Sequence, residues 1–195
     1  MVAAKENKVI YGLENAHYAK LTFGTNGVPE FSTPTALKGA VELALEPQSN
    51  SVEFAADNDS QYFSEEENQG YDGTLTIANM PLSFRKDILG EVEDLEDGVI
   101  TELADAKFSP FALLFQFDGD ATKTRHVLYY CNGSRAKVGS KTGKDISGVE
   151  VGFKAKQLEL NGKKVVKSQT TSEESTKYGD WFKSVYVKSA TQTGK

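Results

Sequence analysis

The nearest approach to a reactive motif in this 195-residue sequence is Gly139-Ser-Lys-Thr-Gly143-Lys144-Asp145. A loop that cradles phosphates reads G-x-x-x-x-G-K-[ST] between a strand and a helix, so that backbone N–H groups and the lysine surround the oxygens. Here three residues separate the glycines, Asp145 replaces the hydroxyl that would hold magnesium, and no helical pattern follows. A β-turn loop is the better reading. Asp57-Asn-Asp59-Ser-Gln61 opens like a calcium loop, but its sixth position is Tyr62 rather than Gly and its twelfth Asn68 rather than Glu. It reads as an acidic surface loop.

His17 and His126 fall on separate strand patterns, no G-x-S-x-G occurs, and Cys131 lies inside an apolar run rather than at an electropositive helix start. Two histidines and one cysteine leave almost nothing for a zinc or iron site. The sequence therefore predicts no catalytic residue, no cofactor and no metal. Residues 70–90, GYDGTLTIANMPLSFRKDILG, join a strand to a short helix at an Asn-Met-Pro corner, the kind of corner where enzymes hold a phosphate or a nucleophile. It has no glycine-rich turn and no nucleophile aimed at a cleft, so it reads as architecture.

The elements around these residues are mostly strands. Period-two alternation marks residues 17–23, 41–45 and 71–77, each a half-buried strand. Residues 111–117 are apolar on nearly both sides and predict a central strand, paired with 127–131 through the turn-forming DGDATKT. Val149, Val151, Phe153 and Ala155 alternate, then Leu158 and Leu160 switch phase, as a bulge or sharp bend would make them. Asn161-Gly162 predicts a hairpin into residues 163–167. Residues 185–187 read as a last strand, and residues 180–184, with Trp181 and Phe182, as a turn of helix. The clearest helix is MPLSFRKDILG, with Asn79 as cap, Pro81 in the first turn and Gly90 closing the end. The expected fold is mainly β, an antiparallel β-sandwich or barrel with one short flanking α-helix. One domain spans 1–195, with an N-terminal arm (1–12), a long irregular loop (46–70) containing short apolar pieces, and a C-terminal tail (188–195).

Charge narrows the partners. The net charge of −6 argues against a grip on nucleic acid. Residues 1–110 carry 7 Lys/Arg against 20 Asp/Glu, whereas residues 111–195 carry 15 against 8. Either the chain has an acidic and a basic solvated face, or the acidic part of one copy meets the basic part of another. No apolar run reaches the roughly 18 residues of a membrane span, the N-terminus has no signal-peptide pattern, and a lone cysteine makes no internal disulfide.

Asp57-Asn-Asp59, Tyr62 and Glu65-Glu-Glu-Asn-Gln-Gly-Tyr-Asp-Gly-Thr-Leu-Thr-Ile-Ala-Asn79, followed by a helix ending Ile88-Leu89-Gly90, resemble the major tail proteins of long-tailed phages of Gram-positive bacteria. So do the opening Val9-Ile-Tyr-Gly-Leu-Glu-Asn-Ala-His-Tyr-Ala19, the run Pro110-Phe-Ala-Leu-Leu-Phe, and the hairpin ending Tyr-Tyr-Cys-Asn-Gly. The similarity covers residues 9 to about 187. Some members carry an extra immunoglobulin-like domain, for which this chain is too short. The resemblance implies a tail tube-like fold and a structural virion protein, made in the host cytoplasm, that is not an enzyme. Its copies would form hexameric rings that stack into a tube around the tape-measure protein. Tail terminator and distal tail or baseplate proteins would meet the tube's ends, and DNA would pass through the lumen without specific binding.

On that reading Asp57, Asp59, Tyr62, Glu65, Glu66, Glu67 and Trp181 sit at a subunit interface or near the lumen. Trp181 reads equally well as a core plug. The alternative is a carbohydrate- or cell-surface-binding β-sandwich, a tail accessory using Tyr11, Tyr62 and Trp181. A β-rich hydrolase is a residual third reading, since no acid pair stands at a defined spacing on adjacent strands.

Overall fold

The computed structural model describes residues 10–56, 58–139 and 148–189. Its strands are β1 (Leu13–Phe23), β2 (Pro29–Phe31), β3 (Thr35–Ala36), β4 (Ala40–Ala56), β5 (Asp59–Ile77), β6 (Val92–Asp94), β7 (Val99–Thr101), β8 (Phe111–Phe117), β9 (Arg125–Gly133), β10 (Val149–Lys156), β11 (Leu158–Leu160), β12 (Lys163–Val165) and β13 (Lys167–Gln169). One α-helix, α1 (Leu82–Asp87), and a 3-10 turn at Tyr178–Asp180 complete the described elements. The protein is mainly β with antiparallel sheets and one short helix, as its alternation predicts.

The main sheet runs β2-β1-β8-β9-β10-β5-β4, with β3 added beside β1 and β13 beside β9. β8 is apolar on both sides because both of its faces are covered. Phe111, Leu113 and Phe115 join one core cluster, with Tyr18, Leu75, Ile77, Val151 and Phe153; Ala112 and Leu114 join a second, with Leu21, Val127, Tyr129 and Trp181. The first cluster lies within a curl of the sheet. Leu37 N–H donates to Ala16 O (2.8 Å) and Ala78 N–H to Gly39 O (2.7 Å), so residues 37–39 lace β1 to the end of β5. The helix plugs this side: Phe84 is fully buried, edge-on to Tyr18 (5.0 Å) and to Phe111 (5.5 Å).

The phase switch after Ala155 is real. Ala155 faces the first cluster and Leu158 the second, because Leu158 leaves the main sheet to begin the β11–β12 hairpin. Asn161 and Gly162 turn that hairpin with φ of 51° and 75°, the pair of positive values a two-residue hairpin turn needs. The DGDATKT turn is organised by buried Asp120, whose carboxylate accepts from Thr122 N–H (2.8 Å), Thr122 O–H (2.6 Å) and Thr124 N–H (2.9 Å).

Three expectations need correction. Residues 46–70 are not an irregular loop: they form most of a continuous β4–β5 hairpin. Their Glu, Asn, Ser and Gln are poor strand formers, and a ribbon wet on both faces carries no alternation for the eye to find. Asn79 does not cap α1; extended Pro81 occupies that position without a side-chain bond, and Ile88 caps the far end, with Gly90 taking a left-handed φ of 73° two residues on. Residues 185–187 join no sheet, since Val185 and Tyr186 are held by packing on the second cluster. Of the N-terminal arm, residues 1–9 lie outside the described residues; Tyr11 and Gly12 extend the β1–β8 ladder by accepting from Gly119 and Asp118 N–H. Residues 190–195 of the C-terminal tail also lie outside them.

Candidate functional site

The groups that could have done chemistry are occupied by structure. His17 stacks on Phe182 (4.7 Å) and His126 on Phe115 (5.1 Å), so both imidazoles serve as flat packing surfaces. Burial, with Lys167 adding to it and Asp120 opposing it, lowers the His126 pKa to about 4. Cys131 is fully buried, and desolvation pushes its thiol pKa up, away from reactivity. At the strand–helix corner every charge is tied to the scaffold: Arg85 to Glu91 (2.5 Å), Lys86 to Glu93 (2.7 Å), and Asp87 to the Tyr18 hydroxyl (2.8 Å). Burial, with the Asp87 carboxylate behind it, raises that hydroxyl to about 12. Most of the phosphate-loop-like stretch, residues 140–145, lies outside the described residues. Among the described residues no group of three His, Cys, Asp or Glu could hold a metal ion.

What the structure does present is a projecting ribbon. β10 pairs with β5 only over residues 71–77, so the outer part of the hairpin pairs only with itself. At about 3.3 Å per residue, 48–56 reach roughly 25–30 Å beyond the sheet. The root is fixed at Gly70. With φ of 111°, it passes so close to β10 that a Cβ there would stand 1.9 Å from Ala155 O. A register shift between Gln48 and Ser49 lies opposite it. An irregularity of this kind bends a strand pair locally.

The pairing assigns each side chain a face. Phe54 opposes Phe63, Val52 opposes Glu65 and Asn50 opposes Glu67, all on one side; Glu53, Ser51, Ser64 and Glu66 lie on the other, with Tyr62. Phe54 is 61% exposed, Tyr62 62% and Phe63 47%. An isolated two-stranded ribbon is marginal in water, and aromatic side chains gathered at its end, flanked by carboxylates, are the composition of a contact surface. The structure thus brings Asp59, Tyr62, Glu65, Glu66 and Glu67 together on β5. Asp57 lies outside the described residues. The aromatics Phe54 and Phe63 were not singled out from sequence, although the apolar pieces around them were visible.

Trp181 is elsewhere. It is 3% exposed, stacks on Tyr186 (5.5 Å) and donates Nε1–H to His126 O (3.2 Å). Arg125 clamps the same segment, lying 3.6 Å over the Tyr178 ring and donating to Tyr178 O (2.5 Å). Trp181 therefore packs inside its own subunit, as the core-plug reading has it. It offers no face to a sugar, and the carbohydrate-binding alternative loses one of its three aromatics.

Charges follow the split along the chain. Glu42, Glu46, Glu53 and the Glu65–67 run crowd β4–β5, whereas Lys154, Lys156, Lys163, Lys164 and Lys167 lie on β10 to β13. The two sets meet within the molecule at Lys154–Asp72 (2.9 Å).

Comparison with curated proteins gives no match. Among solved structures, the chain is similar to the sheath/tube terminator of PVC, an extracellular contractile injection system, in its extended state, at 10% identity and a TM-score of 0.42 over 87% of this chain and 100% of that one. It is also similar to the tube terminating cap of the anti-feeding prophage, at 11% identity and a TM-score of 0.38 over 88% of this chain and 99% of that one. Residues 1–109, more than half of the sequence and including the whole ribbon, match the model of a family described as phage tail tube protein. The chain belongs to that family, and is a structural protein of the phage tail.

Proposed function

We propose that this chain is the major tail protein of a long-tailed phage of a Gram-positive host, one tail tube domain over residues 1–195, and that its copies form hexameric rings stacked into the tube through which DNA is delivered. The observation that carries this reading is the ribbon, which exposes Phe54, Phe63 and Tyr62 at the end of a hairpin that its own subunit leaves uncovered. Burying such side chains against an identical neighbour supplies what the free chain lacks. Ring-to-ring contacts of this heterologous kind polymerise without closing.

The acidic residues of the ribbon have a place in the same scheme. Asp57, Asp59, Glu65, Glu66 and Glu67 lie at a subunit interface or near the lumen. There, carboxylates repel passing phosphates over roughly 8–10 Å at physiological salt. The tube encloses the tape-measure protein and meets the tail terminator and the distal tail or baseplate proteins at its ends. It performs no catalysis. Electron microscopy of the purified chain, and cryo-electron microscopy of the virion, test the proposal: tubes with the ribbon between subunits are expected. A tube with the ribbon exposed on its outer wall, or a monomeric chain missing from the tail shaft, overturns it.

A further inference from the structure

The ribbon needs a receiving surface, and two of the depressions on the body differ in the charge they offer it. One, of about 330 Å³, lies beside α1, floored by Met80, Leu89 and Phe108. Its arginines are already matched, Arg85 by Glu91 and Arg135 by Glu102 (2.8 Å), so it has no spare charge for an acidic visitor. The other, of about 310 Å³, runs between the β11–β12 hairpin and the C-terminal segment, with Tyr129, Leu160, Val165 and Tyr186 lining it and Lys163 and Lys188 at its rim. Among the described residues, neither lysine has a carboxylate within ion-pairing distance.

We infer that this second groove is the seat for the Phe54/Phe63 end of the ribbon of a neighbouring copy, with Glu65 of the visitor paired to the rim lysines. The inference rests on the stacked-ring reading and names the acceptor that reading leaves open. Phe63 and Glu65 share one face of the ribbon, roughly 7 Å apart at two residues' spacing, and Phe54 lies directly across from Phe63. A phenyl ring entering the apolar floor therefore brings a carboxylate to the rim. No residue of the ribbon lines the groove in its own subunit, and the ribbon's aromatics are exposed, so the visitor is a second copy. The groove is also held open by the fold: Tyr129 O–H donates to Tyr186 O (2.9 Å), and the Asn161 amide donates to Lys188 O (2.5 Å), fixing both walls.

The test uses the full chain at increasing concentration, followed by sedimentation velocity. Lys163→Glu with Lys188→Glu is expected to weaken association about tenfold or more, and adding Glu65→Lys to recover much of the loss. In a second measurement, Phe63→Cys and Ser168→Cys variants, mixed and oxidised, are expected to form a disulfide between copies. Ser168 lines the groove, and buried Cys131 does not compete. That readout does not depend on how the lysine variants fold. If lysine reversal and the disulfide both fail while Phe54→Ser with Phe63→Ser still abolishes assembly, the ribbon docks elsewhere: the groove assignment falls and the tube reading stands. If the wild-type chain stays monomeric throughout, both fall.

Discussion

Individual side chains explain why candidate chemistry became scaffold. Trp181 fills the second core cluster, and Trp181→Ala is expected to cost about 3–5 kcal/mol in urea unfolding. His126 is the group whose protonation the fold resists most visibly. Its pKa is lowered to about 4 from an ordinary 6.5, so the folded ring stays neutral while an unfolded chain takes up a proton. The stability this contributes is complete above pH 6.5 and is lost as pH falls toward 4. The loss is about 2 kcal/mol, allowing for screening of an incompletely enclosed ring. The stability of wild type minus that of His126→Phe should fall by about 2 kcal/mol as pH drops from about 6.5 to 4; a pH-independent difference would show that the imidazole is not the group concerned. The histidines and the thiol fit no catalytic spacing in the sequence, and the structure uses both rings and the thiol in packing. The Arg125 clamp could not be read, since it joins β9 to a segment fifty-three residues further along the chain.

Among the elements, strands with one wet and one dry face were legible because burial imposes the period. Residues 71–77 and 149–155 alternate for that reason. The ribbon was not legible as strand, since nothing buries either face, and its short apolar pieces read as parts of a loop. Its root supplies a prediction. Gly70→Ala would drive a methyl group into Ala155 O and is expected to lower stability by about 2 kcal/mol or more. Gly27→Ala, at φ 71° and with open space around it, should cost only about 1 kcal/mol. Equal costs in thermal melts would mean that the close approach to β10 does not fix the ribbon. The groove between β11–β12 and residues 185–189 was invisible in the sequence, because it exists only where Tyr186 meets Tyr129.

For the whole molecule, the split of charge along the chain becomes a split between an acidic hairpin and a basic group of strands. Association driven by opposite fields is expected to weaken several-fold as ionic strength rises from about 0.05 to 0.5 M, as the screening length contracts. Association that strengthens instead, by light scattering, would assign assembly to apolar contact alone.

The position of Cys131 has a practical consequence. It is the chain's single cysteine, lies at the junction of β8, β9 and β10, and is fully buried. A maleimide can reach it only when the sheet itself comes apart, so labelling should proceed at the rate of global opening, and far faster in denaturant. Rapid modification of the native chain would reveal a local breathing of these central strands. Slow modification makes the molecule its own clock: free subunits and assembled tubes could be timed against one another with no engineered dye site.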